Sequence, residues 1–183
     1  MLMTTERLVL RHFQAGDAEG LYAYLHEPTA SCFLSLKLAS VADAATEVEK
    51  RRIGGEFIAV CSRSTGQLIG DLFAMAEEDT FSVGWNFNPE FAGRGYAQEA
   101  ARALFSYLFE QRDARRLYAY VEDHNAASQR LCERLGMRRE GMFVEFVSFT
   151  NDAAGKPIYE NTMQYAILRR EWVSRTKAEP GLP

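Results

Sequence analysis

The sequence has little that would tie it to a membrane, an oxidising compartment or a metal. No apolar run is long enough to span a bilayer, and the first residues, MLMTTERLVLRHF, lack the regions of a signal peptide. The three cysteines, Cys32, Cys61 and Cys132, are odd in number and far apart, which indicates reduced thiols. The histidines show no ligand spacing with them. These absences predict a cytoplasmic protein without a metal site.

No strong charge of either sign is present. The net charge is −4, which argues against nucleic acid as the main partner and is compatible with cationic substrates. Hydrophobic residues make up 47% of the chain and charged residues 25%, a composition typical of globular proteins. The 183 residues suit one domain with a sizeable core. We therefore expect one compact domain that binds neither nucleic acid nor membrane.

Apolar periodicity predicts an α/β (α+β) domain with a mixed, mostly antiparallel sheet. A strand, a long helix beginning near Gly95 and another strand follow one another, which predicts one central parallel pair. A loop is expected over 150–157, and a polar tail, 173–183, follows Trp172. The predicted strands cover 6–13, 56–62, 67–76, 80–88, 116–122, 138–147 and 158–167. The other predicted helices lie around Leu21 and over 40–55 and 125–136.

The stretch NPEFAGRGYAQEAARALFSYLF, residues 88–109, places two glycines at the start of the long helix. The first amides of a helix have no partner within it and attract a phosphate. Gly93 and Gly95 would let an oxygen approach the backbone, and Ala97 keeps the first turn slim. The alternative is that these glycines only shape a turn. Gln98 stands where a dinucleotide motif needs glycine, and no stretch matches a P-loop.

Four segments occur in the order and spacing of a known family: TERLVLRHFQAGDAEGL, NPEFAGRGYAQEA, DHNAASQRLCERLGMRREG and MQYAILRREW. Together they resemble the GNAT superfamily of N-acetyltransferases. Within it they are most similar to the RimJ/RimL-like branch, which acetylates the N-terminal alanine of ribosomal proteins. The resemblance covers residues 5–172, which we predict to form a single GNAT domain.

This resemblance implies a sheet with two splayed central strands and acetyl-CoA as cosubstrate between them. It implies that the pantetheine arm pairs with the backbone around Trp85 and Phe87, and that Asn125 holds the cosubstrate through its side chain. The diphosphate would then occupy the glycine-rich junction. The amides implied to bind it belong to Gly93, Arg94, Gly95, Tyr96 and Ala97.

The chain departs from the family pattern at two positions. Ala92 stands where the pattern has Gln or Arg, and Cys132 stands where many members have a tyrosine that protonates the leaving thiolate. Asn125, Ser128 and Cys132 share one helix face, so Ser128 or Cys132 is a candidate proton donor. The alternatives are that Asn125 caps its helix, that Ser128 packs beside the cosubstrate and that Cys132 belongs to the core.

The family resemblance implies direct attack of a neutral primary amine on the acetyl thioester. A backbone amide near Phe87 is a candidate oxyanion donor. An α-amino group has a pKa of about 7.7–8.0, so a strong base is not essential for a protein N-terminus. Glu145 is a candidate base, as is Glu99 through water, although a helix-start role suits Glu99 better.

The acceptor is left open by the sequence. It is expected to be an amine, either a protein N-terminus or a small molecule such as an aminoglycoside, polyamine or amino-acid derivative. The loops HEPTASCFLSLKLAS and VSFTNDAAGKPIY are expected to select it. A non-catalytic CoA-binding module and an interaction domain with an empty cleft are the alternative functions, and a homodimer stays open.

Overall fold

A computed structural model describes residues 3–178 as an eight-stranded sheet with helices against it. The strand order is β1-β2-β3-β4-β5-β6-β8-β7. Every neighbouring pair is antiparallel except β5 and β6, which are parallel. The predicted fold class, a mixed and mostly antiparallel sheet with a central parallel pair, is confirmed. The strands are β1 (Met3–Thr4), β2 (Leu8–Arg11), β3 (Phe57–Ser62), β4 (Leu68–Glu77), β5 (Thr80–Phe87), β6 (Arg116–Glu122), β7 (Arg138–Asn151) and β8 (Pro157–Leu168). The α-helices are α1 (Ala18–Leu25), α2 (Val41–Gly54), α3 (Tyr96–Gln111), α4 (Ala126–Arg134) and α5 (Arg169–Ala178).

The sheet is covered on both faces because its inner strands are apolar on both sides. In β3, Ile58 and Val60 belong to the cluster that contains the buried residues of α3, while Ala59 and Cys61 belong to the cluster of α1 and α2. Successive side chains of a strand point to opposite faces, so the two clusters lie on opposite sides of the sheet. Helices therefore pack against both faces of the sheet.

The central parallel pair is short and then opens. β5 pairs with β6 only from Thr80 to Ser82, whereas β6 stays paired with β8 as far as Glu122. The second half of β5 therefore leaves its neighbour while remaining bound to β4 through Phe87. This opening in the middle of the sheet positions the candidate site.

Several elements differ from the sequence predictions. The predicted loop over 150–157 is confirmed at 152–156, where a long hairpin turns, but its ends are strand, because β7 runs to Asn151 and β8 begins at Pro157. Asp152 accepts amide hydrogen bonds from Ala154 and Lys156 there, and Gly155 has a positive φ. The short strand β1 and a 3-10 turn, Ser31–Leu36, were not predicted.

The C-terminal segment was also not predicted to be helical. Helix α5 covers 169–178 and so includes the first residues of the polar tail predicted over 173–183. Trp172 anchors it, because the indole packs with its ring centroid 5.7 Å from that of Phe105 and 6.0 Å from that of Phe109. The remaining tail residues lie outside the described residues, and the domain limits 5–172 stay a prediction.

Candidate functional site

The glycine-rich junction joins the free end of β5 to helix α3. Gly93 and Gly95 both adopt left-handed conformations, with φ of 75° and 79°, and Gly95 is the N-cap of α3. A side chain at either position would be strained, so the sequence needs glycine here for backbone reasons. The helix begins at Tyr96, and its first amides have no partner within the helix. The junction is therefore able to bind an anion through its backbone.

An ion pair between Arg7 and Glu99 stabilises the glycine-rich junction. The Arg7 guanidinium donates to Glu99 over 2.6 Å and to the Arg94 carbonyl over 2.8 Å, and its carbon lies 4.7 Å from the centre of the Tyr96 ring. Thr5 also donates to Glu99. Burial raises the pKa of Glu99, but the hydrogen bonds from Thr5 and Arg7 outweigh it and leave the pKa below its ordinary value. These contacts fit a structural role for Glu99.

The separated half of β5 presents its backbone to the opening. Asn88 donates its amide to the Ile69 carbonyl of the β4 side, and the register pairs Phe87 with Gly70. Backbone groups alternate in direction along a strand, so those of Trp85 and Phe87 point away from β4. β6 pairs with β5 only as far as Ser82, so these groups face the opening. They form an edge that can pair with an extended ligand.

Helix α4 closes the other side of the opening. The Trp85 indole N–H donates to Ser128 Oγ over 2.8 Å and joins β5 to α4 across the gap. Asn125 Oδ1 accepts from the Ser128 amide over 3.1 Å and caps α4, while its Nδ2 donates to Glu122 over 3.2 Å. Trp85, Ser128, Asn125 and Glu122 thus form one hydrogen-bonded chain.

Two cavities meet at this chain. The first, which we call the junction cleft, has a volume of about 410 Å³. Its lining includes all the cofactor residues predicted from the sequence except Arg94. Those lining residues are Trp85, Phe87, Gly93, Gly95, Tyr96, Ala97 and Asn125. The Arg94 side chain is exposed, with its guanidinium carbon 5.5 Å from the centre of the Phe91 ring.

The second cavity, which we call the apolar pocket, has a volume of about 280 Å³. It shares Phe33, Trp85, Asn125 and Ser128 with the junction cleft. Its other lining residues are Cys32, Leu36, Phe57, Phe73, Ser82, Gly84, Ala119, Tyr120 and Glu122. A Cβ on Gly84 would lie 2.1 Å from the Phe73 ring, so glycine there lets this ring cross β5 and form the wall.

Glu122 is the one acidic residue in the lining of the apolar pocket, and sequence analysis missed it. It is 5% exposed and accepts from the Cys32 amide over 3.0 Å and from Asn125. Burial raises its pKa, but the hydrogen bonds from Cys32 and Asn125 outweigh this and leave the pKa below its ordinary value. A glutamate at the end of a strand normally faces solvent. The 3-10 turn that covers Glu122 has no apolar periodicity in the sequence and so was not predicted. Its place three residues before Asn125 was the only available clue.

The two candidate proton donors lie in different environments. Ser128 lines both cavities. Cys132 is fully buried in the core cluster and lines neither cavity, and burial raises the pKa of its thiol to about 12. This placement suits the core role that the sequence left open for Cys132. The candidate base Glu145 is exposed on β7, has a φ of 49° and lines neither cavity.

The two predicted acceptor loops also differ in placement. The first contributes Cys32, Phe33 and Leu36 to the apolar pocket through its 3-10 turn. The second, 147–159, forms the tip of the β7–β8 hairpin and supplies no residue to the lining of either cavity. Residues 3–178 contain no group of three potential metal ligands, and none of their helices is long and apolar enough to cross a membrane.

Comparisons with known proteins identify the family and the fold. The family model "Acetyltransferase (GNAT) domain" matches residues 7–138. The "Uncharacterized N-acetyltransferase YnaD" of Bacillus subtilis is 31% identical over 175 residues, which cover 94% of this chain and 99% of that protein. A GNAT-family acetyltransferase structure from Bacillus anthracis superposes with a TM-score of 0.83 at 29% identity, covering 93% of this chain and all of that one. The microcin C7 self-immunity acetyltransferase MccE, solved with acetyl-CoA and AMP, shares the fold with a TM-score of 0.73 at 14% identity over 90% of this chain and 93% of that one.

Proposed function

Because this chain belongs to the GNAT family and is an acetyl-CoA-dependent acetyltransferase, we propose that it acetylates a primary amine that enters the apolar pocket. The observation that carries the proposal is the meeting of the two cavities at Trp85 and Ser128. One cavity offers backbone groups that suit a diphosphate and an extended arm. The other ends in a buried carboxylate that suits a cationic group.

The residues of the junction cleft fit the cosubstrate. The amides from Gly93 to Ala97 would hold the diphosphate, because the left-handed glycines leave the helix start open and the helix dipole favours an anion. The backbone of Trp85 and Phe87 would pair with the pantetheine arm, and Asn125 would lie beside it. When bound, acetyl-CoA supplies the acetyl thioester. The neighbour MccE, whose structure holds acetyl-CoA, has this fold.

The reaction forms a C–N bond to the amine and breaks the C–S bond of the thioester, and a proton must reach the departing sulfur. Ser128 is the better-placed donor, because its Oγ accepts from Trp85 and so keeps its own hydrogen for the departing sulfur. The proton that the attacking nitrogen loses would then restore the hydroxyl. Cys132 is sealed in the core with a raised pKa, which disfavours it. A backbone amide near Phe87 is the candidate oxyanion donor.

The RimJ/RimL-like resemblance favours a protein N-terminal α-amine as acceptor, with a small-molecule amine as the alternative. Cytoplasmic location, expected from the reduced cysteines, stays a prediction, and a homodimer stays open. A non-catalytic CoA-binding module is the alternative function, and it would keep the junction cleft while making no use of Glu122.

Thiol release from acetyl-CoA, measured over a panel of amines and matched alcohols, tests the proposal. We expect release only with amines, one thiol for each N-acetyl product identified by mass spectrometry. Binding of acetyl-CoA without turnover of any amine would support the CoA-binding module instead. Absence of binding would contradict both.

A further inference from the structure

The carboxylate of Glu122 is a buried charge whose described partners are all neutral. Its hydrogen bonds come from the Cys32 amide at 3.0 Å, the Cys32 side chain and Asn125 Nδ2 at 3.2 Å. Ser31 Oγ lies 3.5 Å away and donates its one hydrogen to Glu160 over 2.6 Å. Among residues 3–178, no lysine, arginine or histidine forms an ion pair with it. Hydrogen bonds from neutral groups thus stabilise the ionised carboxylate without neutralising it, so its negative charge is available to a cationic ligand.

Apart from Ser82, Asn125 and Ser128, the rest of the pocket lining is mainly apolar, and it carries no positive charge. Its walls are formed mainly by aromatic and aliphatic side chains: Phe33, Leu36, Phe57, Phe73, Trp85, Ala119 and Tyr120. Tyr120 is supported from outside by Phe143 and Phe146, with ring centroids 6.1 Å and 5.7 Å away. No cationic side chain of the described residues lines the pocket, so a carboxylate on the ligand would find no partner.

We propose that the acceptor is a monoamine whose ammonium group is carried on an apolar, uncharged body, and that Glu122 binds this ammonium. The proposal rests on the proposed function and names the substrate class of the same site. It separates the acceptors that the sequence left open. A polyamine or aminoglycoside would bring further positive charges against aromatic walls, and a free amino acid would bring a carboxylate beside Glu122.

The arrangement also explains why Glu122 binds the ammonium instead of taking its proton. A carboxylate with a pKa below its ordinary value is a weak base toward an amine. It does, however, make strong charge-assisted hydrogen bonds to an ammonium group. The acceptor binds as a cation, and because the ion pair favours the charged form, the nitrogen must leave Glu122 and give its proton to water before the neutral amine attacks the thioester. An N-terminal residue with an apolar side chain and a free apolar monoamine share this chemistry.

Binding to the CoA-saturated protein, followed by calorimetry, tests the proposal without turnover. The probes are phenethylamine, the peptide amide Phe-Ala-Gly-NH2, free phenylalanine and spermidine. We expect phenethylamine or the peptide amide to bind about tenfold or more tightly than spermidine and phenylalanine. Tighter binding of the peptide would point to a protein N-terminus, and tighter binding of phenethylamine to a free amine. Equal or tighter binding of spermidine, or no binding of either apolar amine, would overturn the proposal.

Variants locate the ammonium site. Glu122→Gln should weaken amine binding about tenfold or more while CoA affinity stays within about twofold. Glu133→Gln is the matched control, because Glu133 is exposed on α4 and lies outside the lining of the pocket. Unchanged amine binding in a folded Glu122→Gln protein would overturn the assignment. If that variant does not fold, the wild-type preference among the four probes decides.

These outcomes are distinct from failure of the proposed function. Loss of CoA binding in the wild-type protein would remove the acetyltransferase proposal itself. Normal CoA binding with preferential acetylation of spermidine would leave the acetyltransferase in place and remove only the apolar monoamine.

Discussion

The junction cleft and the apolar pocket share a wall at Trp85, yet they are built from different parts of the chain. The cleft is made largely of backbone: the amides at the start of α3 and the unpaired edge of β5. The pocket is made of side chains from separate elements, among them the 3-10 turn with Phe33, β4 with Phe73 and β6 with Glu122. A backbone site binds the part of a ligand that is common to a family, whereas a side-chain site varies with the acceptor.

A negative charge placed in the junction cleft alone should have the largest effect. Ala97→Glu should lower CoA affinity about 100-fold, because the new carboxylate would repel the diphosphate at short range. Helix stability should not fall, since a carboxylate in the first turn favours the helix dipole. Calorimetry measures the affinity, and Ala97→Gln separates charge from bulk. Equal losses in the two variants would mean that no anion binds there.

A substitution of Trp85, which lines both cavities, should have a smaller effect than Ala97→Glu. Trp85→Phe removes the hydrogen bond to Ser128 while keeping an aromatic ring, and we expect kcat to fall about tenfold. Trp172→Phe is the control, because that indole is buried against α3 and its N–H has no partner among the described residues. Equal kcat values for the two variants would mean that the Trp85 hydrogen bond has no role in the reaction.

Sequence analysis could anticipate the cleft better than the pocket, for a physical reason. Left-handed glycines at Gly93 and Gly95 leave a mark in the sequence because few other residues tolerate the conformation. Glu122 leaves no such mark, since its burial depends on the turn at Ser31–Leu36 folding over it from 90 residues away. The register that points Trp85 toward Ser128 is likewise a tertiary property. The helix α5 was missed because its sequence, RREWVSRTKA, has no clear apolar face.

The pH dependence of the melting temperature tests the role of Glu122 in the apolar pocket. Because the folded-state pKa of Glu122 lies below its ordinary value of 4.5, its ionised form stabilises the fold above that pH, and this contribution is lost as the pH falls below it. Glu122→Gln should therefore flatten the decline of the melting temperature between about pH 5 and pH 3. Glu145→Gln, an exposed control, should follow the wild type. A parallel decline in all three proteins would contradict the stabilising role of the ionised Glu122.

The smallest effect is expected at Cys132, which lies behind both cavities. Cys132→Ala should change kcat by less than about twofold, because the thiol is buried and its raised pKa keeps it protonated. The free energy of unfolding should fall by about 1 kcal/mol from the small cavity left behind. Intact mass spectrometry after air oxidation with CoA should show no adduct on Cys132. A large loss of kcat, or an adduct at this residue, would contradict the core role of Cys132 and favour a role at the active site.

The separation of the two sites is tested most directly by one crossed calorimetric measurement on Ala97→Glu and Glu122→Gln. Each variant is titrated first with CoA and then, at saturating CoA, with phenethylamine. We expect Ala97→Glu to weaken CoA binding alone and Glu122→Gln to weaken amine binding alone. Equal weakening of both ligands in both variants would contradict it.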